Sequence, residues 1–520
     1  MFLLLLLLFK NPLSPYNFIS GLEPSPDSIH YLNPLISLAH GKGLVISYEG
    51  RDIPTTVPPL YSLTLFPIYF IFREIRFFYI TNVFLTLISA ILFYKIICKL
   101  FASPVIKSIL FLGFVTNYII FWYPQVAMAK NLLIPLYLFS VWLLLQPLTI
   151  FSVILFPFLT MAFFATKYVA WVLSLSLIIA FIIKVRSFKS LLKKKLLFLF
   201  LFFLSLLILF SVFAYIEFLN KEVNVLNTVI LVLQNLVTVS SSGSFSTVYL
   251  KNNFIRYLAG IMGGQVTVLQ KDFILLPIIV GMTSIAAIFI NLLTGKNKLL
   301  SFYFFLSITG TLYFISTFYI VDARYLFVFI PIFFLISGIF LQTLGNFLKW
   351  RYQGLYFKFL MGFIYLTVIL AMIPLPLGQV SNELKLIFLQ PEKAKNYEAI
   401  EIMNQYANSY TLKPVIISTL SPYMIDFYSN HKYKVLPLSF RQYFTGGVEQ
   451  TWGISPQGSL IDLYKDYLRE SKTVLVSVYQ TEDKYWFSFD MQKIKEEFNL
   501  SLAEKGCNNK CSLYKLEIKR

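Results

Sequence analysis

Long apolar runs broken by short polar stretches govern the chain as far as residue 378. A helix needs about 20 apolar residues to cross a bilayer. The pattern predicts such spans near 77–98, 104–122, 129–146, 148–164, 166–185, 195–218, 273–293, 299–320, 323–344 and 358–377. Met1–Phe9 (MFLLLLLLF) reads as the end of a further span entering from the cytoplasm, with its natural start expected upstream, which makes eleven. Pro58-Pro59-Leu60-Tyr61 opens another apolar run, closed by Arg73-Glu74-Ile75-Arg76. At about fourteen residues that run is too short to cross and predicts an interfacial or dipping helix. Residues 10–58 and 219–272 are left as two polar outer loops.

Beyond residue 378 the period changes. Helical patterns at 391–410, 422–429, 459–471 and 490–498 alternate with extended ones at 415–419, 433–437, 473–478 and 512–518. Alternation of this kind predicts a small α/β domain over 379–520, following a membrane domain over 1–378.

Composition agrees with a lipid solvent. The chain is 57% hydrophobic and only 13% charged, against roughly 25% charged in soluble domains. The net charge of +19 would suggest nucleic acid on a soluble protein, but its distribution argues against that partner. Residues 1–378 hold 26 Lys and Arg against nine Asp and Glu, whereas 379–520 hold 18 against 16. The excess therefore belongs to the membrane part, where basic residues set topology and meet anionic lipid. If the Pro58 helix does not cross, the short basic loops around Lys95–Lys107, Lys184–Lys195, Lys296–Lys298 and Lys349–Lys358 all fall inside. The α/β domain then falls outside, in a multi-pass protein of the plasma membrane.

Three cations break that rule. Lys130, Lys167 and Arg324 sit at the outer ends of spans, each beside polar residues: Lys130-Asn131, Thr166-Lys167-Tyr168 and Asp322-Ala323-Arg324-Tyr325. One such cation reads as a snorkelling side chain. Three at one depth predict a site for an anionic lipid headgroup, which Arg meets with a fork and Lys with a point charge.

The first loop holds Glu23-Pro24-Ser25-Pro26-Asp27-Ser28-Ile29-His30-Tyr31 ahead of a helical run. Asp27 or Ser28 can serve as the N-cap of that helix. An acid at the membrane lip must be solvated, paired or used, so Asp27 is equally a candidate catalytic carboxylate. No zinc spacing and no Gly-rich phosphate loop occurs. Cys507 and Cys511 flank a turn-like stretch and are either bonded in an oxidising compartment or two free thiols.

Taken together, Asp27-Ser28-Ile29-His30-Tyr31, Ala39-His40-Gly41-Lys42-Gly43, Pro58-Pro59-Leu60-Tyr61, Ala165-Thr166-Lys167-Tyr168 and Ala323-Arg324-Tyr325 resemble landmarks of the GT-C membrane glycosyltransferases. The likeness is to the protein O-mannosyltransferase and aminoarabinose transferase group. It implies a GT-C-like polytopic helical fold with a C-terminal extracytoplasmic α/β domain. It also implies transfer of a sugar from a polyprenyl-phosphate donor to a lipid, glycan or protein acceptor outside, with inversion. Asp27 would be the catalytic base, and Glu23, His30, Tyr31, Lys130, Lys167, Tyr168, Asp322, Arg324 and Tyr325 would bind substrate. No cofactor is certain; a divalent cation stays open, with a second carboxylate to come from Glu23, Glu49 or Asp52. A polymerase or ligase of lipid-linked glycans is the neighbouring alternative. A transporter would need paired broken helices, which the pattern lacks.

Overall fold

A computed structural model describes residues 27–48, 51–55, 57–188, 192–220, 247–268, 271–294, 298–318, 321–352, 354–372, 395–420, 422–439, 458–470, 472–479, 488–507, 509 and 511–519. The chain divides into two compact units. One holds the helices from Leu60 to Met372. The other joins the first loop to the C-terminal sequence, so residues 13–56 group with 391–520 rather than with the helical part.

The helical unit follows the apolar runs closely. Among the described residues, four helices are long and apolar enough to cross a membrane: Phe78–Leu100, Leu192–Val212, Lys298–Ser316 and Ala323–Arg351. The bent pair Pro104–Val115 and Tyr118–Gln125 makes up to five. Lys130–Leu145, Ile150–Thr166 and Leu355–Leu370 are apolar but shorter. The outer surface of this unit is greasy, with Leu355 83%, Phe359 75% and Leu207 62% exposed, as side chains solvated by lipid would be. Leu60–Phe72 has only 13 residues, or about 20 Å at 1.5 Å per residue, and falls short of the bilayer core. Arg73 ends it in the left-handed conformation (φ 56°), its N–H bonding to Tyr69 O.

The tyrosine of the Pro-Pro-Leu-Tyr motif is an anchor. Tyr61 is fully buried and donates to Asn82 Oδ1 at 2.8 Å. Asn82 in turn gives Nδ2 to Pro124 O (2.9 Å) and Val126 O (3.2 Å), and Asn131 adds a bond to Val126 O at 2.7 Å. These amides satisfy the carbonyls of the irregular segment that leads into Lys130. A buried polar group left without its partner costs about 1–3 kcal/mol. We therefore expect Asn82→Ala, which removes the side-chain partner of Pro124 O and the Oδ1 that accepts from Tyr61, to lower the thermal unfolding temperature in detergent more than Tyr61→Phe does. At the opposite end of helix Lys130–Leu145, Lys184 donates to Leu143 O, Leu144 O and Gln146 O at 3.1, 2.7 and 2.5 Å. This basic residue was predicted to mark the cytoplasmic side; it also caps a helix C-terminus, where a cation meets unpaired carbonyls.

β1 (Val45–Tyr48) and β2 (Arg51–Pro54) pair antiparallel, as do β3 (Gln265–Val268) and β4 (Lys271–Ile274) of the helical unit. Beyond its antiparallel pair, the second unit is built on a five-stranded sheet. Its strands are β5 (Val415–Ser418), β6 (Lys434–Pro437), β7 (Val474–Tyr479), β8 (Phe498–Gly506) and β9 (Cys511–Ile518). They lie in the order β6-β5-β7-β9-β8. The first three pair in parallel, and β9 runs antiparallel to both β7 and β8. Period-2 alternation sends Val415, Ile417 and Val476 to one face, against the helices Leu460–Arg469 and Ser488–Glu497. Ile416 and Leu475 go to the other face, against Lys395–Ala407 and Pro422–Tyr428. Helices on both faces explain why β7 is buried almost throughout. Cys507 and Cys511 form a disulfide across the β8–β9 turn, with Cα atoms 5.3 Å apart.

Helix Asp27–Ala39 and the hairpin of β1 (Val45–Tyr48) and β2 (Arg51–Pro54) complete this unit. The helix opens at Asp27, so Ser28 lies buried in its first turn and is not its cap. Gly41 (φ 76°) and Gly43 (φ 86°) turn the chain from helix to strand in conformations that favour glycine, which accounts physically for the Ala-His-Gly-Lys-Gly pattern. Asn33 then grips β1 as a strand would, donating Nδ2 to Ser47 O at 2.8 Å and accepting the Ser47 N–H at 3.0 Å. Tyr48 is buried, its ring 5.1 Å from that of Tyr423 and its hydroxyl donating to Val435 O at 3.4 Å.

Candidate functional site

Three of the sequence-selected aromatic and basic residues converge in the helical unit. Lys130 begins the helix Lys130–Leu145. A cation there opposes the helix dipole, and at 2% exposure it is also largely out of water. Its Nζ lies 4.4 Å from the centroid of the Tyr325 ring. Lys167 caps the C-terminus of Ile150–Thr166, and its Nζ lies 5.1 Å from the same ring centroid. Two ammonium groups thus share one aromatic ring, an arrangement worth about 0.5–2 kcal/mol per cation depending on desolvation.

Asp322 supplies the opposite charge. It caps the 3-10 turn Ala323–Phe329, accepting the Arg324 backbone N–H at 2.9 Å. The Arg324 side chain returns onto it, Nε to Oδ1 and Oδ2 at 2.9 and 2.7 Å and Nη2 to Oδ2 at 2.7 Å. Burial opposes ionisation of Asp322, but Lys130 and Arg324 outweigh it and hold the carboxyl well below the usual carboxylate range. The Asp322 N–H donates to Tyr257 Oη at 2.9 Å. One turn earlier on that helix, Asn253 gives Nδ2 to Ser316 O (3.2 Å) and Phe318 O (2.6 Å). Tyr257 and Asn253, at i and i−4, therefore fix the segment that carries Asp322. Their spacing on one helical face was the signal for them, and it was overlooked.

Lys130, Lys167, Thr311 and Tyr325 line one half-open cavity with the apolar Leu133, Leu173 and Val328. Two ammonium groups in a mostly apolar wall can hold an anion at a membrane boundary.

His30 and Tyr31 belong to the second unit. Glu23 is outside the described residues, as are the side chains of Asp27 and Tyr168. His30 and Tyr31 follow Asp27 on the helix of the second unit. Tyr31 is buried, and the His30 ring lies 5.8 Å from that of Tyr423. Asp52 is engaged by Ser47 Oγ (2.7 Å) and Lys42 Nζ (3.0 Å), which keep its carboxyl below the ordinary value. Among the described residues no three His, Cys, Asp or Glu side chains gather as a metal site.

No protein-family model matches the chain, and no curated protein matches it in sequence. Solved structures do. The crystal structure of ArnT from Cupriavidus metallidurans in the apo state aligns with a TM-score of 0.58, over 96% of this chain and 95% of that one, at 12% identity. ArnT from the same organism bound to undecaprenyl phosphate aligns at 0.59, over 96% of each chain, again at 12% identity. The chain folds as ArnT does. The ArnT likeness is one of fold.

Proposed function

We propose that this protein is a membrane glycosyltransferase that moves a sugar from a polyprenyl-phosphate carrier to an acceptor hydroxyl on the outer face of the membrane. The observation that carries this reading is the seating of Lys130 and Lys167 on one ring, Tyr325, beside the Asp322–Arg324 pair. The undecaprenyl phosphate bound by ArnT supports a donor of that class.

In this reading Asp27 takes the proton of the acceptor hydroxyl, and the freed oxygen attacks the anomeric carbon. The bond from that carbon to the phosphate oxygen breaks, and the lipid phosphate leaves with the electron pair. A single displacement inverts the anomeric centre. Lys130 and Lys167 neutralise the leaving phosphate, where a fixed charge in a partly dry site counts for most. Arg324 and Asp322 position Tyr325 between them, and His30, Tyr31, Tyr168 and Glu23 contact the sugar or the acceptor. A lipid, a glycan or a protein hydroxyl suits this chemistry as acceptor. In this reading the chain crosses eleven times, with the Asp27 loop and the 391–520 sheet outside the plasma membrane, and the Cys507–Cys511 bond supports that oxidising side. A reporter fused after Arg520 that is active only in the cytoplasm would overturn this topology.

Transfer of labelled sugar from polyprenyl phosphate in liposomes tests the activity itself. Lys167→Ala should raise the KM for the donor by about tenfold, the scale of one charge-assisted hydrogen bond, because it acts on a charge present before and after reaction. An unchanged KM would remove Lys167 from the donor site.

A further inference from the structure

One polar group in the cavity is not accounted for by its neighbours. Thr311 is 3% exposed, and its hydroxyl makes no hydrogen bond among the described residues although the residue lines the cavity with Lys130 and Lys167. Ser and Thr inside membrane helices commonly return their hydroxyls to the carbonyl four residues back. On the same helix Ser307 does so to Tyr303 O at 2.8 Å and Thr309 to Phe305 O at 2.5 Å. Thr86, Thr160 and Thr283 do likewise on other helices. Thr311 departs from this habit, as Ser316 at the end of the same helix and Thr81 do, but Thr311 alone of these three lines the cavity with the two ammonium groups. A hydroxyl buried without a partner is costly, and a valine would fill the same volume without that cost.

The remaining lining says what the hydroxyl would meet. Leu133, Leu173 and Val328 offer no hydrogen bond, and none of the lining residues is acidic. Among the described residues, Lys130 and Lys167 lie over the Tyr325 ring, and Asp322 is the acid held by Lys130 and Arg324. The room inside the cavity is about 20 Å³, enough for about one water-sized group. An entering ligand can place one oxygen there while its bulk stays at the mouth.

We infer that Thr311 donates a hydrogen bond to one oxygen of the lipid-linked donor, at the position flanked by Lys130 and Lys167. This rests on the donor class proposed above. The oxygen belongs either to the phosphate or to a hydroxyl of the sugar, and the two sources give different results below.

The test uses the full-length protein in detergent micelles, with undecaprenyl phosphate and with undecaprenyl phosphate carrying a pentose or a hexose as probes. Thr311→Val should weaken binding by about tenfold, the scale of a hydrogen bond to a charged group, and Thr311→Ser should restore it. Without ligand, Thr311→Val should unfold at the same temperature as the parent or higher, because an unpaired buried hydroxyl has been removed; a residue needed only for packing would do the reverse. Weakening with both probes assigns the oxygen to the phosphate, and weakening with the sugar-bearing probe alone assigns it to the sugar. If Lys167→Ala loses binding while Thr311→Val binds both probes like the parent, the Thr311 contact is wrong and the donor class stands. If the parent binds neither probe, the donor class fails and this contact with it.

Discussion

Asp27→Asn should lower sugar transfer by about 10²–10⁴-fold, the contribution typical of a positioned general base, while the affinity for the polyprenyl-phosphate donor stays within a factor of about two. Asparagine preserves size and most hydrogen bonding, so the substitution removes little besides the ability to take a proton. Asp27 opens its helix, where the carboxylate also favours the positive end of the dipole by about 0.3–1 kcal/mol. The folding loss is therefore small beside the kinetic one, and circular dichroism with a melting curve separates them. Near-normal turnover by a folded Asp27→Asn protein would remove Asp27 from the mechanism and make Glu23 the next carboxylate to replace.

Asp322→Ala should destabilise the protein by about 3–5 kcal/mol, the usual cost of leaving a buried charge uncompensated. Arg324 and Asp322 side chains are only 15% and 16% exposed, and Lys130 is more deeply buried still. Asp322→Asn should fall between, because asparagine still caps the turn at Ala323 without the charge. Undecaprenyl phosphate should raise the melting temperature of both variants more than that of the parent, since its phosphate returns part of the missing negative charge. A loss below about 1 kcal/mol in Asp322→Ala would show that the two cations are solvated, contrary to the geometry. The pH dependence has a definite sign. With its folded pKa depressed, Asp322 contributes stability that is complete above the unfolded value of about 4 and is lost only as pH falls through the lower folded value. The gap in melting temperature between parent and Asp322→Asn should hence stay constant from pH 5 to pH 8. A gap that closes as pH falls from 7 to 5 would contradict the ion pair.

Much of this molecule was legible where one periodicity served one environment. Val415, Ile416 and Ile417 announce a strand buried on both faces, and the structure places them so. β8 was missed, although Phe498 and Leu500 alternate with Asn499 and Ser501, because exposed Asn499, Ser501, Leu502 and Glu504 at the sheet edge weaken the apolar signal. The positions of Lys130 and Lys167 were legible because cations at the outer ends of spans contradict topology. Their meeting over Tyr325 was not, since it depends on three segments spread over nearly 200 residues. Asn82 and Thr311 carried no signal at all. An asparagine or threonine among apolar residues looks the same whether it satisfies the backbone or waits for a ligand, and only the bonds it makes tell the two apart.

The discontinuous second unit has a consequence for how the chain comes into being. Tyr48 finds the carbonyl of Val435 across 387 residues. At ribosomal rates of about 5–20 residues per second, the first loop is made roughly 20–80 s before its partner strand exists. For that interval the segment bearing Asp27 has delivered its glycine turn and its hairpin but has no sheet to close against. A nascent or truncated chain can thus fill the membrane with helices and still carry no assembled acid loop. The fold that carries Asp27 closes only when the last strands have left the ribosome, which makes completion of synthesis itself the step that assembles the second unit.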